Sequence, residues 1–200
     1  MEILRRAAYR RMPWKNGGGE TLEIAVSPPG ATFDTLEWRV SMALVAQDGP
    51  FSVFPGIDRT LCVLDGAGLE LDFADHGGRQ IVTPSSAPFH FAADRALNAR
   101  LLAGPITDLN VMTRRDRRRH SVHRLAIDEQ RVRVSCAGEA LVFCDRGAMS
   151  CTLDGGTEIQ LGARDCLLMR GAPALIEMTA AQSPASVYLV QFYPAAATLA

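Results

Sequence analysis

Histidines are few in this sequence and are spaced wrongly for a metal site. Its four histidines are His76, His90, His120 and His123. His120 and His123 stand in a basic stretch with no third ligand close by in sequence, and His90 sits in Phe89-His90-Phe91 without a partner two residues on. A metal in a β-barrel takes roughly three or four converging N and O donors, commonly His-x-His on one strand with a carboxylate and a later histidine. That set is missing, so neither a metal nor any other cofactor is expected. A Gly-x-Ser-x-Gly elbow is absent too, as is a Cys/His pair with an orienting group, which removes the familiar nucleophile arrangements.

Other absences narrow the reading further. No apolar run approaches the ~20 residues of a membrane helix. The opening MEILRRAAYRRMPWKNGG carries arginines but no apolar h-region, so it is not read as a signal peptide. The net charge is -1, so no global field draws the chain to nucleic acid or to an anionic membrane. The run Arg114-Arg115-Asp116-Arg117-Arg118-Arg119 has no interleaved aromatics and no recognition helix, and reads as a solvated connector pairing with acids. Helical periodicity is scarce: Asp94–Leu102 and the alanine-rich Pro194–Ala200 are weak candidates. The five cysteines (Cys62, Cys136, Cys144, Cys151, Cys166) form no Cys-x-x-Cys pair. Most lie in apolar runs such as TLCVL and DCLLM, as packed, reduced thiols of a cytoplasmic protein would.

What is present is apolar material for a core, 48% hydrophobic against 22% charged residues, divided into short strand patterns. The first half reads as strands at Thr21–Val26, Glu37–Ala46, Thr60–Leu64, Leu69–Phe73, Gln80–Thr83, Pro88–Ala92, Ala96–Leu102 and Asp108–Thr113. The second reads as Ser121–Ile127, Val132–Cys136, Ala140–Cys144, Met149–Leu153, Thr157–Leu161, Asp165–Arg170, Ala174–Met178 and Val187–Tyr193. Turn residues such as Pro28-Pro29-Gly30, Asp65-Gly66 and Asp154-Gly155-Gly156 separate them. This is an all-β pattern of sandwich or barrel type. The halves also correspond, LCVLDGAGLELDF to LVFCDRGAMSCTL, which predicts a duplicated β-barrel with units at 1–113 and 114–200.

Unusual residues gather in or beside the first half. Met12-Pro13-Trp14-Lys15-Asn16-Gly17-Gly18-Gly19-Glu20 sets an aromatic, an amine and an amide before glycines that let backbone approach a ligand; a hairpin with Trp14 as a core plug is the plainer alternative. In Trp38-Arg39-Val40-Ser41-Met42-Ala43, Arg39 and Ser41 share one face. Were that face inside, Arg39 would be a buried cation needing an anionic partner. Asp58 and Arg59 stand at a strand entrance, where Arg59 suits a carboxylate and the pair could equally brace a turn. Asp108 and Asn110 make a polar stripe on one strand face, and an asparagine there can donate and accept toward an amide or acid.

Taken together, MPWKNGGGETLEI, WRVSMA with DGPFSVFPGIDRTL, and the closing Gly-Pro…Asp-Leu-Asn-Val-Met-Thr-Arg-Arg strand resemble the HutD/Ves family, strongly over residues 10–115 and more weakly beyond. Leu109 departs from the aromatic expected within the Asp-x-Asn strand but keeps its apolar character. The resemblance implies a bicupin, two jelly-roll cupin-like barrels in one chain. It further implies a metal-independent binder that senses or sequesters an acidic metabolite of histidine degradation, formylglutamate-like, and regulates the pathway; other relatives are tied to environmental responses. The motif positions place Trp14, Lys15, Asn16, Gly18, Arg39, Ser41, Arg59 and Asn110 at the ligand, with Arg39, Arg59 and Lys15 holding carboxylate, Asn16 and Asn110 reading an amide or formyl group, and Trp14 walling the pocket. A metal-free cupin enzyme (isomerase, lyase or hydrolase) using Glu20, Asp58 or Asp108 on a small acidic substrate is the alternative, and a partner-binding module a third. A homodimer is compatible with each.

Overall fold

Alternating apolar and polar residues, cut by glycine and proline, form strands along nearly all of the described chain. The computed structural model describes residues 1–15, 17–75, 77–136, 138–171 and 174–195. Asn16, His76 and most of the alanine-rich tail therefore lie outside the described residues. In chain order the strands are β1 (Glu2–Leu4), β2 (Arg10–Pro13), β3 (Gly19–Ser27), β4 (Trp38–Val45), β5 (Gly49–Pro50), β6 (Ile57–Asp65), β7 (Leu69–Phe73), β8 (Arg79–Val82) and β9 (Phe89–Ala92). They continue as β10 (Leu97–Leu101), β11 (Ile106–Arg114), β12 (Arg118–Ile127), β13 (Val132–Cys136), β14 (Ala140–Leu153), β15 (Ile159–Leu161), β16 (Cys166–Met169) and β17 (Ala174–Pro194). Among the described residues the one helical piece is a 3-10 turn at Arg6–Ala8. No helix there is long and apolar enough to cross a membrane.

The chain divides into two units, Arg10–Arg119 with Pro194–Ala200, and Met1–Tyr9 with His120–Tyr193. The sequence division at 113/114 falls a few residues earlier than this boundary. The arginine run belongs to the first unit because its charges are tied there. Arg115 reaches Asp58 at 2.8 Å and Asp94 at 3.1 Å, and Arg118 reaches Glu37 at 2.8 Å. The N-terminal nine residues join the other unit through β1–β16 pairing, the 2.7 Å Arg5–Asp165 bridge and the 2.7 Å bond from the Tyr9 hydroxyl to the Arg164 carbonyl.

In the first unit the sheets run β2-β3-β4-β11-β6-β9 and β5-β10-β7-β8. Strand β7 shows how the pattern works: Leu69, Leu71 and Phe73 are buried while Glu70 and Asp72 are half-buried on the other face. Those three join Leu97 and Ala99 of β10, Leu61 and Val63 of β6 and Ile106 of β11 in one core, so the two sheets oppose their inner faces as a sandwich. Burying such a side chain contributes about 1.5–3 kcal/mol. A second apolar cluster, Leu36, Ile57, Ala93 and Met112, packs apart from it, and residues of both border the site.

In the second unit a seven-stranded sheet, β1-β16-β14-β17-β12 with β13 on β17 and β15 on β14, encloses a core that includes Val142, Cys144, Cys151, Leu167 and Met178. Two pairs of expected strands are each one strand here. Asp145-Arg146-Gly147 reads as a turn but is taken up inside β14 as register shifts against β17, with Gly147 at φ 78. Ala174–Met178 and Val187–Tyr193 likewise run on as β17. All five cysteines are free and buried.

Candidate functional site

Cross-strand register builds the site in rows. Strands β4, β11 and β6 lie side by side, and pairing sets Ala43, Asp108 and Val63 in one row, Ser41, Asn110 and Leu61 in the next, and Arg39, Met112 and Arg59 in the third. A β-bulge between Thr107 and Asp108 brings Asp108 opposite Val63, on the same face as the arginines. A second bulge, between Glu23 and Ala25 of β3, leaves Glu23 opposite Ser41. The face these rows share opens into a cavity of about 640 Å³. Arg39 and Arg59 flank Met112, two strand spacings or about 10 Å apart along the sheet.

Each guanidinium is held by its neighbours. Arg39 donates from Nε to Glu23 Oε2 at 2.7 Å and from Nη1 to Ser41 Oγ at 3.4 Å, and stacks 5.1 Å from the Phe33 ring centre. The anionic partner demanded by a buried Arg39 is thus Glu23. Arg59 gives both Nε, at 2.8 Å, and Nη2 to Asn110 Oδ1, and lies between the rings of Phe51 (4.5 Å) and Phe91 (5.7 Å). Asn110 in turn donates from Nδ2 to Asp108 Oδ1 at 2.6 Å. Asp108 Oδ2 is buried with no hydrogen-bond partner among the described residues. Burial pushes the Asp108 carboxyl up to about 6, against the pull of Arg59, the Asn110 bond and the Ala43 backbone N–H. Burial also draws Arg59 down to about 10, still charged at neutral pH, with Asp108 opposing that shift and Arg39 adding to it.

The mouth is aromatic. Phe33 and Phe54 stack with centroids 4.3 Å apart, and Trp14 lines the wall, its Nε1 donating to Thr21 Oγ1 at 2.9 Å. Lys15, the chain's only lysine, stands exposed at the rim.

Of the expected ligand residues, the structure brings Trp14, Lys15, Arg39, Ser41, Arg59 and Asn110 to one cavity, and Asn16 lies outside the described residues. Gly18 does not line it; its carbonyl accepts from the Ala46 N–H at 2.9 Å and fastens the hairpin. Asn110 gives its carbonyl to Arg59 and one of its two amide hydrogens to Asp108, so a single N–H remains for a ligand. Asp58 and Arg59 neither brace a turn together nor share a face: Asp58 pairs with Arg115, and Arg59 enters the cavity. Sequence reasoning missed Glu23 and Phe33. Glu23 alternates with Thr21 in β3, a signal that was there to use; Phe33 sits in a loop with no periodicity.

The HutD family model matches residues 6–187. The chain belongs to the HutD family. Among curated HutD relatives it is 33% identical over 176 residues to an uncharacterized 21.2 kDa protein in the hutC 3' region of Pseudomonas putida, covering 88% of this chain and 90% of that one. It is also 43% identical over 112 residues to protein Ves of Citrobacter koseri, covering 54% and 56%. The structure of HutD from Pseudomonas fluorescens SBW25 superposes with TM-score 0.80 at 30% identity, over 96% of this chain and 98% of that one. At fold level alone, a cupin 2 conserved barrel domain protein from Leptotrichia buccalis matches with TM-score 0.61 at 8% identity, over 96% and 98%. This is a cupin-fold protein of a family linked to histidine utilisation.

The HutD-family cavity does not fit a metal. Among the described residues its lining offers two guanidiniums and an ammonium against the single carboxylate of Asp108, a poor donor set for a divalent cation. Among the described residues no group of three His, Cys, Asp or Glu side chains could hold a metal ion, and His90 bonds instead to Thr60 Oγ1 through Nδ1 at 3.1 Å.

Proposed function

We propose that this chain is a small-molecule-binding bicupin that senses or sequesters an acidic metabolite of histidine degradation, of the formylglutamate type, and thereby regulates the pathway. The observation that carries the reading is the row of Arg39 and Arg59 on one cavity wall. Arg39 Nη2 and Arg59 Nη1 make no hydrogen bond to the described residues, so each guanidinium retains donors for a ligand carboxylate. Two such points about 10 Å apart at the strands, with Lys15 at the rim, suit a short dicarboxylate. Aromatic walls supply the apolar lining usual in small-molecule sites, and the volume is of the usual size. Neither nucleic acid nor membrane enters this reading, and a homodimer accommodates it.

A second reading, a metal-free cupin enzyme acting on a small acidic substrate, draws on Asp108, whose unpartnered oxygen and raised pKa suit a general acid or base. Among the described residues the cavity lining holds no histidine, cysteine or second carboxylate to activate its serines or to act as a second acid.

Calorimetric titration of the protein with N-formyl-L-glutamate, glutamate, urocanate and histidine tests both. Formylglutamate binding tighter than histidine, and recovered unchanged by NMR after long incubation, supports the sensor. Histidine binding tightest defeats the anionic cavity, and consumption of formylglutamate favours the enzyme.

A further inference from the structure

Asp108, Asn110 and Arg59 form a chain with one direction. Asp108 lies a row deeper in the cavity wall than Asn110, and Asn110 a row deeper than Arg59. An asparagine side chain can point its carbonyl or its amine either way. Here an ionised carboxylate, which only accepts, lies beneath it and accepts the hydrogen bond from Nδ2 at 2.6 Å. The carbonyl must then face outward, where it accepts from both Nε and Nη2 of Arg59. Turned over, the amine would oppose two guanidinium donors.

We propose that Asp108 is a positioning residue: it sets the orientation of Asn110, and through it holds Arg59 with Nη1 directed to a ligand carboxylate. This rests on the carboxylate-binding reading of the cavity and deepens it. The planar fork of Arg59 is used inward, toward Asn110, and the ligand meets the outer nitrogen.

A proton link follows from the charges around Asp108. Arg59 of β6 acts on it directly; the other charged groups of the wall are Arg39 of β4, which pairs with Glu23 of β3, and Lys15 at the rim. The opposing sheet contributes apolar side chains, among them Leu71, Phe73 and Leu97. Arg39 is matched by Glu23, which leaves Asp108 as the counter-charge of Arg59. A ligand carboxylate on Arg59 replaces that counter-charge, and Asp108 then takes up a proton. The proton goes to Oδ2, which makes no hydrogen bond to the described residues, so Oδ1 still accepts from Asn110 and the chain keeps its direction. Burial that already raises this carboxyl to about 6 brings the uptake within the neutral range.

The experiment is calorimetric titration with N-formyl-L-glutamate between about pH 6 and about pH 8, where its carboxyls stay ionised, on wild type, Asp108→Asn and Asp108→Ala. Wild-type affinity rises as pH falls, by at most about tenfold per pH unit for one proton. Asp108→Asn keeps an acceptor for Asn110 without the charge, so it binds at least as tightly as wild type at about pH 8 and with a flat profile. Asp108→Ala frees Asn110 to turn and loses tenfold or more at every pH. A wild-type slope retained in Asp108→Asn, or equal losses in the two variants, overturns the proposal. If formylglutamate gives no heat with wild type, the metabolite reading fails by itself and the same series with formate judges the positioning role. Absence of formate binding as well overturns both.

Discussion

Arg39 Nε and Glu23 Oε2 lie 2.7 Å apart on neighbouring strands, and this contact lets a guanidinium stand in the cavity wall at 7% exposure. The two residues are sixteen apart in sequence and meet because β3 and β4 pair with a bulge just past Glu23. Glu23→Ala leaves Arg39 desolvated and unmatched, which costs roughly 3 kcal/mol for a buried pair. Glu23→Gln retains an acceptor and costs about 1 kcal/mol. Urea denaturation of the two variants at neutral pH checks the ranking, and equal stability of Glu23→Ala and wild type contradicts it.

Arg59→Ala removes the outer donor and the inner fork together. A charge-assisted hydrogen bond contributes about 1.5–3 kcal/mol, so formylglutamate affinity falls roughly tenfold to hundredfold or more. Arg59→Lys recovers only part, because one ammonium cannot serve Asn110 and a ligand in the same geometry. Arg117→Ala is the control: among the described residues its guanidinium reaches only the Thr35 carbonyl, at 3.4 Å. Titration calorimetry of the three variants reads the order directly.

Gly19 is needed for space. A Cβ there would collide with the Leu44 carbonyl and come within 3.1 Å of the Trp14 ring. Since the first obstacle is backbone, β3 must shift, and Gly19→Ala destabilises by about 1–3 kcal/mol as overpacking does. Trp14 moves with the strand, so its fluorescence and the ligand affinity change as well. Gly17 meets nothing within 4 Å and is constrained only by φ 69; Gly17→Ala costs about 1 kcal/mol. Thermal unfolding of both variants separates a steric from a conformational glycine.

Asp108 gives the ligand-free protein a pH dependence of definite sign. Its carboxyl is raised to about 6 in the folded chain, above the unfolded ~3.9. The proton is therefore held more tightly when folded, and the stabilisation it brings is full below the unfolded pKa and lost as pH rises through about 6. A shift of about two units corresponds to roughly 3 kcal/mol. Asp165 and Asp75, held low in part by the hydrogen bonds of Arg5 and Arg95, act in the opposite sense but cancel in a comparison with Asp108→Asn. The stability of wild type relative to that variant should decline from about pH 4 to about pH 7, by denaturant melts at each pH. A constant difference would mean that Asp108 is not buried as described.

The sequence by itself determined the β architecture and most of the cavity's chemistry. Period-two alternation between glycine and proline turns is a local property, so Leu69–Phe73 and Val132–Cys136 were legible to the residue. The same alternation placed Arg39 with Ser41 and Asp108 with Asn110 on common faces. Tertiary structure alone decided which of those faces is inside and what each group touches. Strand β4 is buried on both faces apart from Leu44, so burial could not be inferred from one apolar stripe. The partnership of Glu23 with Arg39 depends on strand register and a bulge, and the fork of Arg59 turns inward because Asp108 orients an amide between them. Each of these relations joins residues on different strands, and no single strand's pattern carries the register that brings them together.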